Sequence, residues 1–372
     1  MIRLASHLAA PCASQAEYGD RRARLAADLA PRRLDALLVS HGPNVRYLTG
    51  FSGSNSALLV WAEGAILFTD PRYRIQAAQE SVCQLRVVKG RLLAAVIKAA
   101  HRRRLRRLGF DAARLTWQAF ETMKENLALG ESLEPASGLV ESRRMVKSPT
   151  ELALIRRSVE TASEAFRRAL ARARPGVRER DLAAELDYQL RRLGADQPAF
   201  ESIVLSGERT ALPHARPSDN PLACNRLLLV DVGASQDGYA SDMTRMAFFG
   251  RPGRQVRELY RAVLEAQLAA VASVRPGIRA ARVDQQARRV LRAHGLGKAL
   301  AHSTGHGVGL EVHEAPRLGR GEKTRLAPGM TFTVEPGAYL EGVGGVRIED
   351  MVVVTATGCE VLTPTSRELL VL

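Results

Sequence analysis

The chain has 372 residues, of which 46% are hydrophobic and 25% are charged, a composition typical of a globular protein of about two domains. Lys and Arg total 54 against 39 Asp and Glu, so the formal net charge is +15 and would attract polyanions or acidic surfaces. The four cysteines form no CxxC pair, which excludes a disulfide framework and a zinc knuckle, and no apolar run approaches the ~18 residues needed to span a bilayer.

The first sixteen residues include an Ala-rich run that has to be compared with an export signal. Ser6, His7 and Pro11 interrupt what would be the apolar core of such a signal, so we do not expect export. Scattered cysteines suit a reducing compartment. We therefore predict a cytoplasmic protein.

Helices and strands are predicted to alternate over the next hundred residues. The predicted strands are 34–40 (LDALLVS), SALLVWA, AILFTD, QLRVV and RLGFD. The predicted helices cover residues 20–31, residues 92–107 and a segment that starts at Thr116. A turn is predicted at His41-Gly42-Pro43-Asn44. This alternation is typical of a layered α/β domain.

The densest basic run, HRRRLRR at 101–107, falls at the end of the second predicted helix. A nucleic-acid site would be the sharper interpretation, but no binding motif or interleaved aromatic residue accompanies the run. We therefore expect a solvated helix face.

A new domain is predicted to begin near Ser148-Pro149-Thr150-Glu151. This segment offers an N-cap, a proline at the first helical position and a glutamate three residues after the cap. The predicted division is an N-terminal domain over 1–140, a linker over 141–148 and a second domain over 149–372.

The second domain contains an internal repeat. RPGVR at 174–178 matches RPGIR at 275–279 at an offset of 101 residues. Each copy follows one amphipathic helix and opens another, which ends at Gly194 or Gly295. Chance could produce five matching residues, but strands with a common feature also follow both copies.

That common feature is one acid in each of two largely apolar strands. The acids are Asp231 in RLLLVDVGA and Asp242 in YASDMTRMAFF, then Glu335 in MTFTVEPGA and Glu349 in VRIEDMVVV. A carboxylate in an apolar strand is costly unless a cation or a proton compensates it. Two divalent cations would neutralise the four charges, so the symmetry predicts a shared metal site.

The stretch HSTGHGVGLEVH at 302–313 supplies candidate imidazole ligands. His302 and His306 are four apart, as in an HExxH zinc helix, but the glutamate is missing and the glycines disfavour a helix. His306 is the best candidate, because glycines on both sides allow close approach of backbone and ligand. Mainly oxygen ligands with one imidazole suit Mn, Co, Fe or Zn.

Arg347 and Glu349 are two apart in VRIED and so face the same side of a strand. Arg347 could orient a substrate, or it could hold the glutamate in an ion pair. The pattern leaves both roles open.

The ordered motifs LLLVDVGA, SDMTR, HSTGHGVGLEVHE, TFTVEPG and VRIED resemble those of the pita-bread metallopeptidases. The resemblance is to the Xaa-Pro peptidase branch, which includes aminopeptidase P and prolidase. In the first half, YLTGFSGSN, ILFTDPRY and RRMVKSPTEL are similar to the creatinase-type N-terminal domain and its linker. The implied fold is α+β: an N-terminal α/β layered, ribonuclease H-like domain, then a pita-bread domain whose pseudo-two-fold curved antiparallel sheet is flanked by helices.

The resemblance also implies five ligands of a dinuclear centre of divalent ions, with manganese favoured. Asp242 and Glu349 would bridge the two ions. Asp231 would hold one ion, and His306 with Glu335 would hold the other.

Further residues match the substrate positions of the family. His214 corresponds to the substrate-side histidine, and His313 to the histidine that donates to the developing oxyanion. His302 and Arg347 would line the proline side of the pocket, and Glu335 would shuttle the proton.

The implied activity is hydrolysis of the bond between an N-terminal residue and a following proline, by a homodimer. Preference for dipeptides or for longer peptides stays open. Alternatives are an aminopeptidase of other specificity, such as methionine aminopeptidase, and a non-catalytic relative that binds nucleic acid through its basic charge. The complete ligand set argues against that binder and against metal-free creatinase, and a membrane partner is not expected.

Overall fold

The computed structural model describes residues 13–372, which divide into two compact units between Arg144 and Met145. The predicted linker over 141–148 spans this division, and its bounds stay a prediction. Most of the segment compared with an export signal lies outside the described residues. Within residues 13–372, no helix is both long and apolar enough to cross a membrane.

The first unit is one six-stranded mixed sheet with helices. Its strands are β1 (Ala36–Val39), β2 (Ser56–Trp61), β3 (Gly64–Thr69), β4 (Gln84–Val87), β5 (Arg107–Phe110) and β6 (Ser132–Pro135). Its helices are α1 (Gln15–Ala27), α2 (Gly42–Thr49), α3 (Arg74–Glu80), α4 (Leu92–Arg102), α5 (Trp117–Lys124) and α6 (Leu139–Arg144). The strand order is β4-β3-β2-β1-β5-β6, with β1–β2 and β2–β3 antiparallel and the other pairs parallel. The predicted layered α/β fold of this half is confirmed.

Two local predictions in this unit are wrong. The helix predicted over 92–107 ends at Arg102, because the chain turns with Arg104 at a φ of 60° and Arg107 already starts β5. The basic run is therefore a helix end, a turn and a strand start rather than one helix face. The turn predicted at 41–44 is the first turn of α2, where the fixed φ of Pro43 suits a helix start.

The second unit contains four helices and four sheets. The helices are α7 (Pro149–Leu170), α8 (Glu179–Arg192), α9 (Arg254–Ser273) and α10 (Ala280–Ala293). The strands before α9 are β7 (Gln197–Pro198), β8 (Ile203–Ser206), β9 (Leu227–Val232), β10 (Ala234–Gln236), β11 (Tyr239–Ala240) and β12 (Met243–Phe248). Those after α10 are β13 (Gly305–Gly307), β14 (Glu314–Leu318), β15 (Thr331–Val334), β16 (Gly337–Leu340), β17 (Gly344–Arg347), β18 (Asp350–Val354), β19 (Cys359–Val361) and β20 (Leu370–Val371).

The sheets of this unit repeat one arrangement. One has the order β20-β12-β9-β8 and another β14-β13-β15-β18-β19, while β11-β10-β7 and β16-β17 form smaller sheets. In the two larger sheets, β9 pairs antiparallel with β12, and β15 pairs antiparallel with β18. Apolar side chains of α7 and α8 pack on the first pair, and those of α9 and α10 pack on the second.

The repeated RPG segments make matching backbone contacts. Gly176 N–H donates to Leu222 O at 2.8 Å, and Gly277 N–H donates to Leu326 O at 2.8 Å. The sequence repeat is therefore a structural repeat. At the start of this unit, Ser148 and Glu151 form the predicted capping box of α7.

Candidate active site

The four strand acids come together where the two halves of the repeat meet. Asp231 lies within β9, whereas Asp242 directly precedes β12, Glu335 directly follows β15 and Glu349 directly precedes β18. Three of the acids thus stand at strand ends rather than inside strands as the pattern predicted. At an end, a carboxylate can face a cavity while the apolar strand beside it stays in the core.

His306 completes this cluster from β13. Its Nε2 lies 3.3 Å from Glu335 Oε1 and 3.6 Å from Asp242 Oδ2. Its Nδ1 donates to Gly307 O at 3.1 Å, which fixes the tautomer and leaves Nε2 as the ligand atom. Ligand atoms of Asp242, His306 and Glu349 all lie within 4.8 Å of one another.

The glycines beside His306 are required by close packing. A Cβ on Gly305 would overlap the carbonyl oxygen of Thr333, and one on Gly307 would overlap that of Ala315. The neighbouring strands therefore approach His306 more closely than a side chain at either position would allow.

Two oxygens of the cluster lack partners. Asp231 Oδ1 and Asp242 Oδ1 are buried and have no hydrogen-bond partner among residues 13–372. A buried unpaired carboxylate oxygen is costly, and a divalent cation is the partner that several such oxygens can share. The donor set, mainly oxygen with one imidazole, fits a divalent metal site.

The crowding of these acids shows in their pKa values. Burial raises the pKa of Asp242 well above its ordinary value, and the charges of Glu349 and Asp231 raise it further. Burial, then the charges of Glu335 and Asp231, likewise raise the pKa of Glu349. Burial also acts to raise the pKa of Glu335. The hydrogen bond with His306 and the positive charge of that ring outweigh burial and lower the pKa of Glu335 to about 2. The cluster has to take up protons or cations.

Arg347 is the buried cation of the site. Its Nη2 donates to Asp231 Oδ2 at 2.6 Å and its Nε to Thr244 Oγ1 at 2.8 Å. Thr244 Oγ1 in turn donates to Glu349 Oε2 at 2.7 Å. The ion pair considered between Arg347 and Glu349 is therefore indirect, and the direct partner is Asp231.

His302 has a partner at both ring nitrogens. Its Nδ1 donates to Ser303 O at 2.7 Å, because a carbonyl oxygen can only accept. Its Nε2 lies 2.8 Å from the Tyr339 hydroxyl, which accepts from Arg347 Nη1 at 3.0 Å and so donates to the histidine. Burial lowers the pKa of His302, in keeping with the neutral ring that this arrangement needs. With both ring nitrogens hydrogen-bonded, His302 can contact a ligand only through the face of its ring.

A cavity of about 710 Å³ opens over the cluster. All nine predicted site residues line it: His214, Asp231, Asp242, His302, His306, His313, Glu335, Arg347 and Glu349. The ring of His313 lies 4.3 Å from that of His306 between centroids, and His214 and His313 are both exposed. The apolar side chains of Phe200, Ile203 and Pro217 complete the walls.

The polar residues of the site that were missed in the sequence include Thr244, Tyr339 and Arg317. Thr244 follows Asp242 by two positions, so strand alternation could have placed both on one face. No sequence pattern indicates that Tyr339 belongs to the site, because its position depends on how β16 pairs with β17. Arg317 lines the cavity because it pairs with His306 between β14 and β13, beside a register shift that no sequence pattern indicates.

Comparison with known proteins gives matches to both units. The metallopeptidase family M24 model matches residues 153–356, and the creatinase/prolidase N-terminal domain model matches residues 21–146. A Xaa-Pro dipeptidase of Pyrococcus horikoshii is 37% identical over 91% of this chain and 95% of its own length.

Solved structures agree with these matches. The Xaa-Pro dipeptidase from Bacillus anthracis superposes with a TM-score of 0.93 at 36% identity, covering 95% of this chain and all of that one (100%). An X-Pro aminopeptidase from Thermotoga maritima gives 0.88 at 34% identity, covering 95% and 100%. The predicted two-domain fold and the predicted family are confirmed. The chain belongs to metallopeptidase family M24, carries a creatinase/prolidase-type N-terminal domain, and is a hydrolytic peptidase.

Proposed function

We propose that this peptidase hydrolyses the bond between an N-terminal residue and a following proline, and that dipeptides are its preferred substrates. The observation that carries the proposal is the cluster of Asp242, His306 and Glu349, whose ligand atoms lie within 4.8 Å of one another at the base of the cavity. Relatives named Xaa-Pro dipeptidase at 35% and 37% identity support the specificity.

Two divalent ions would be held by Asp231, Asp242, His306, Glu335 and Glu349. When bound, such ions lower the pKa of water toward ~7 and polarise a carbonyl group. Manganese is the proposed metal, because carboxylate ligands predominate.

The protein groups around the cluster transfer the proton, stabilise the oxyanion and contact the substrate. A carboxylate oxygen of Glu335 takes the proton of the attacking water and delivers it to the departing proline nitrogen, which needs a proton to leave. His313, exposed to the cavity beside His306, donates to the developing oxyanion. His302 offers its ring face to the proline ring. His214 contacts the substrate from the loop over residues 206–220.

Arg317 supports the preference for dipeptides. It stands opposite His306 in the strand ladder, and directly opposed residues project to the same face of a sheet. Arg317 has no carboxylate within 4.0 Å in the described part of the chain, so a substrate carboxylate can pair with it. A dipeptide carries its free carboxylate directly after proline, within reach of such a guanidinium.

The family resemblance and the sequence support two further parts of the proposal. A homodimer is proposed from the resemblance, and a cytoplasmic location from the scattered cysteines, which form no CxxC pair in the sequence.

The decisive experiment compares peptides with metal-stripped and metal-loaded protein. We expect Leu-Pro to be cleaved after manganese is restored, Leu-Pro-Gly to be cleaved more slowly and Leu-Ala to resist. Asp242→Asn and His306→Ala should abolish cleavage. Full activity in thoroughly stripped protein would refute the metal-dependent mechanism, and faster cleavage of Leu-Pro-Gly would refute the dipeptide preference.

A further inference from the structure

The loop over residues 206–220, here called the His214 loop, forms one wall of the cavity. His214, Ala215, Arg216 and Pro217 of this loop line the cavity. Apart from a 3-10 turn at Gly207–Ala211, the loop has no helix or strand beyond its first residue, which ends β8. Its middle is held by Gly345 N, which donates to Thr210 Oγ1 at 2.8 Å, and by Arg347 Nη1, which donates to Pro213 O at 3.1 Å. Its two ends are held by side-chain contacts.

One carboxylate binds both ends of the loop. Glu179, the first residue of α8, is fully buried at 0% exposure. It accepts from Ser206 N at 2.8 Å at one end, and at the other from Ser218 N at 3.0 Å and Asn220 Nδ2 at 3.2 Å. Ser218 Oγ also donates to it, at 2.7 Å. Glu179 thus closes the base of the loop.

An arginine extends this contact toward the cavity. Arg209 Nε donates to Glu179 Oε2 at 3.0 Å, and Arg209 Nη2 donates to Arg216 O at 2.7 Å. Arg216 is two residues beyond His214. A continuous chain of hydrogen bonds therefore runs from Glu179 to the backbone beside the histidine.

The second half of the repeat contains a comparable device. Asp284 of α10 is also buried at 0% exposure and accepts from Thr304 Oγ1 at 2.8 Å and from Arg288 Nε at 2.8 Å. Arg288 Nη2 then donates to His302 O at 2.6 Å. In each half, a buried acid on the helix that follows the RPG segment holds, through an arginine, the backbone near a cavity histidine.

We propose that Glu179 is a positioning residue that sets the place of His214 for peptide binding. The proposal rests on the proposed function for what binds in the cavity. Glu179 does not line the cavity, so its effect must pass through the loop. This gives the RPGVR segment a role, because the helix start that it forms places Glu179 under the loop.

The first test is hydrogen exchange, which does not require activity. Glu179→Gln removes the charge and one acceptor, and we expect amide exchange in residues 206–220 to become about tenfold faster or more. Exchange over residues 300–304 should not change. Asp284→Asn is the matched control and should show the reverse pattern. Unchanged exchange over 206–220 in Glu179→Gln would overturn the proposal.

The second test is a kinetic cycle with Leu-Pro. We expect Glu179→Gln to raise KM about tenfold while kcat changes less than about threefold, because binding geometry is lost. In a His214→Ala background, the same change should have little further effect. An undiminished effect there would show that Glu179 acts on general stability, and would overturn the proposal.

Two more variants keep these tests decisive. Ser218→Ala removes one donor to Glu179 without touching the acid, so a smaller shift in the same direction is expected if Glu179→Gln folds poorly. Glu185→Gln, on the same helix with Gln189 as its partner, should leave kinetics and exchange unchanged. If the wild-type protein cleaves no Xaa-Pro peptide, the proposed function fails, while hydrogen exchange still decides the role of Glu179 in the loop.

Discussion

Arg347 donates to Asp231 across 116 positions of sequence, with Nη2 and Oδ2 2.6 Å apart and both side chains buried. Through Thr244, the same guanidinium also reaches Glu349. One arginine therefore orients carboxylates from both halves of the repeat. The second oxygen of Asp231 has no hydrogen-bond partner within the described residues 13–372, as expected of a metal ligand.

This relationship predicts how Arg347 can be replaced. Lysine keeps the charge but cannot donate in two fixed directions, so Arg347→Lys should weaken metal binding about 10- to 100-fold. Arg347→Met leaves Asp231 as an unpaired buried acid and should also lower the free energy of unfolding of the metal-free protein. Calorimetric metal titration and urea unfolding measure the two effects. Unchanged metal affinity in Arg347→Lys would contradict the prediction.

The Tyr339 hydroxyl joins His302 to Arg347, so its removal should cost stability. Tyr339→Phe keeps the ring but leaves His302 Nε2 without its partner and removes one of the two acceptors of Arg347 Nη1, which still donates to Pro213 O. We expect the free energy of unfolding to fall by about 1–3 kcal/mol. Tyr188→Phe is the control, because Tyr188 is 54% exposed and should tolerate the change. Equal effects in urea titrations of the two variants would argue against the bridging role.

Close packing beside His306 predicts the effect of a single methyl group. Gly307→Ala would drive a Cβ into the carbonyl oxygen of Ala315, so β13 must shift and carry His306 away from the acids. We expect lower thermal stability and weaker metal binding together. Gly19→Ala has open space in the helix α1 and should instead stabilise by about 0.5–1 kcal/mol. Normal metal binding by Gly307→Ala would show that the strands tolerate the methyl group.

The sequence supported the prediction of the cluster because its signal is local. An acid in an apolar strand is costly wherever the strand folds, so Asp231, Asp242, Glu335 and Glu349 could be selected before any contact was known. The capping box at Ser148 was likewise readable, since all its atoms lie within four residues.

The residues that could not be predicted depend on distant contacts. Tyr339 and Arg317 become part of the site through strand register, and the register of β13 shifts between His306 and Gly307. The predicted end of helix α4 was wrong for a related reason. Helix-forming arginines continue beyond Arg102, but the tertiary pairing of β5 with β1 takes Arg107 into the sheet.

A surface acid offers a test of pH-dependent stability. Hydrogen bonds from Arg167 and Arg168 hold the pKa of Glu164 down to about 2, from 4.5. Because the folded pKa is the lower one, this stabilisation is present above about pH 4.5 and is lost as pH falls toward 2. Glu164→Gln should therefore cost less than ~1 kcal/mol at neutral pH, since the pairs are exposed, and progressively less in acid. Urea titrations from pH 7 to pH 3 measure the difference, which should not grow as pH falls.

Arg317 provides the sharpest test of substrate length. Arg317 lines the cavity and pairs with His306 between β14 and β13, and we expect its guanidinium to pair with the carboxylate that a dipeptide carries directly after proline. Arg317→Met should raise KM for Leu-Pro about 10- to 100-fold, because a hydrogen bond to a charged group is worth about 1.5–3 kcal/mol.

The amidated peptide Leu-Pro-NH2 separates this effect from general damage to the site. It lacks the carboxylate, so wild type and Arg317→Met should cleave it with similar kcat/KM. Arg320→Met, on the same segment but outside the cavity, should behave as wild type toward both peptides. If Arg317→Met lowers kcat/KM equally for Leu-Pro and Leu-Pro-NH2, then Arg317 does not bind the substrate carboxylate. The preference for dipeptides would then have to come from other residues of the cavity.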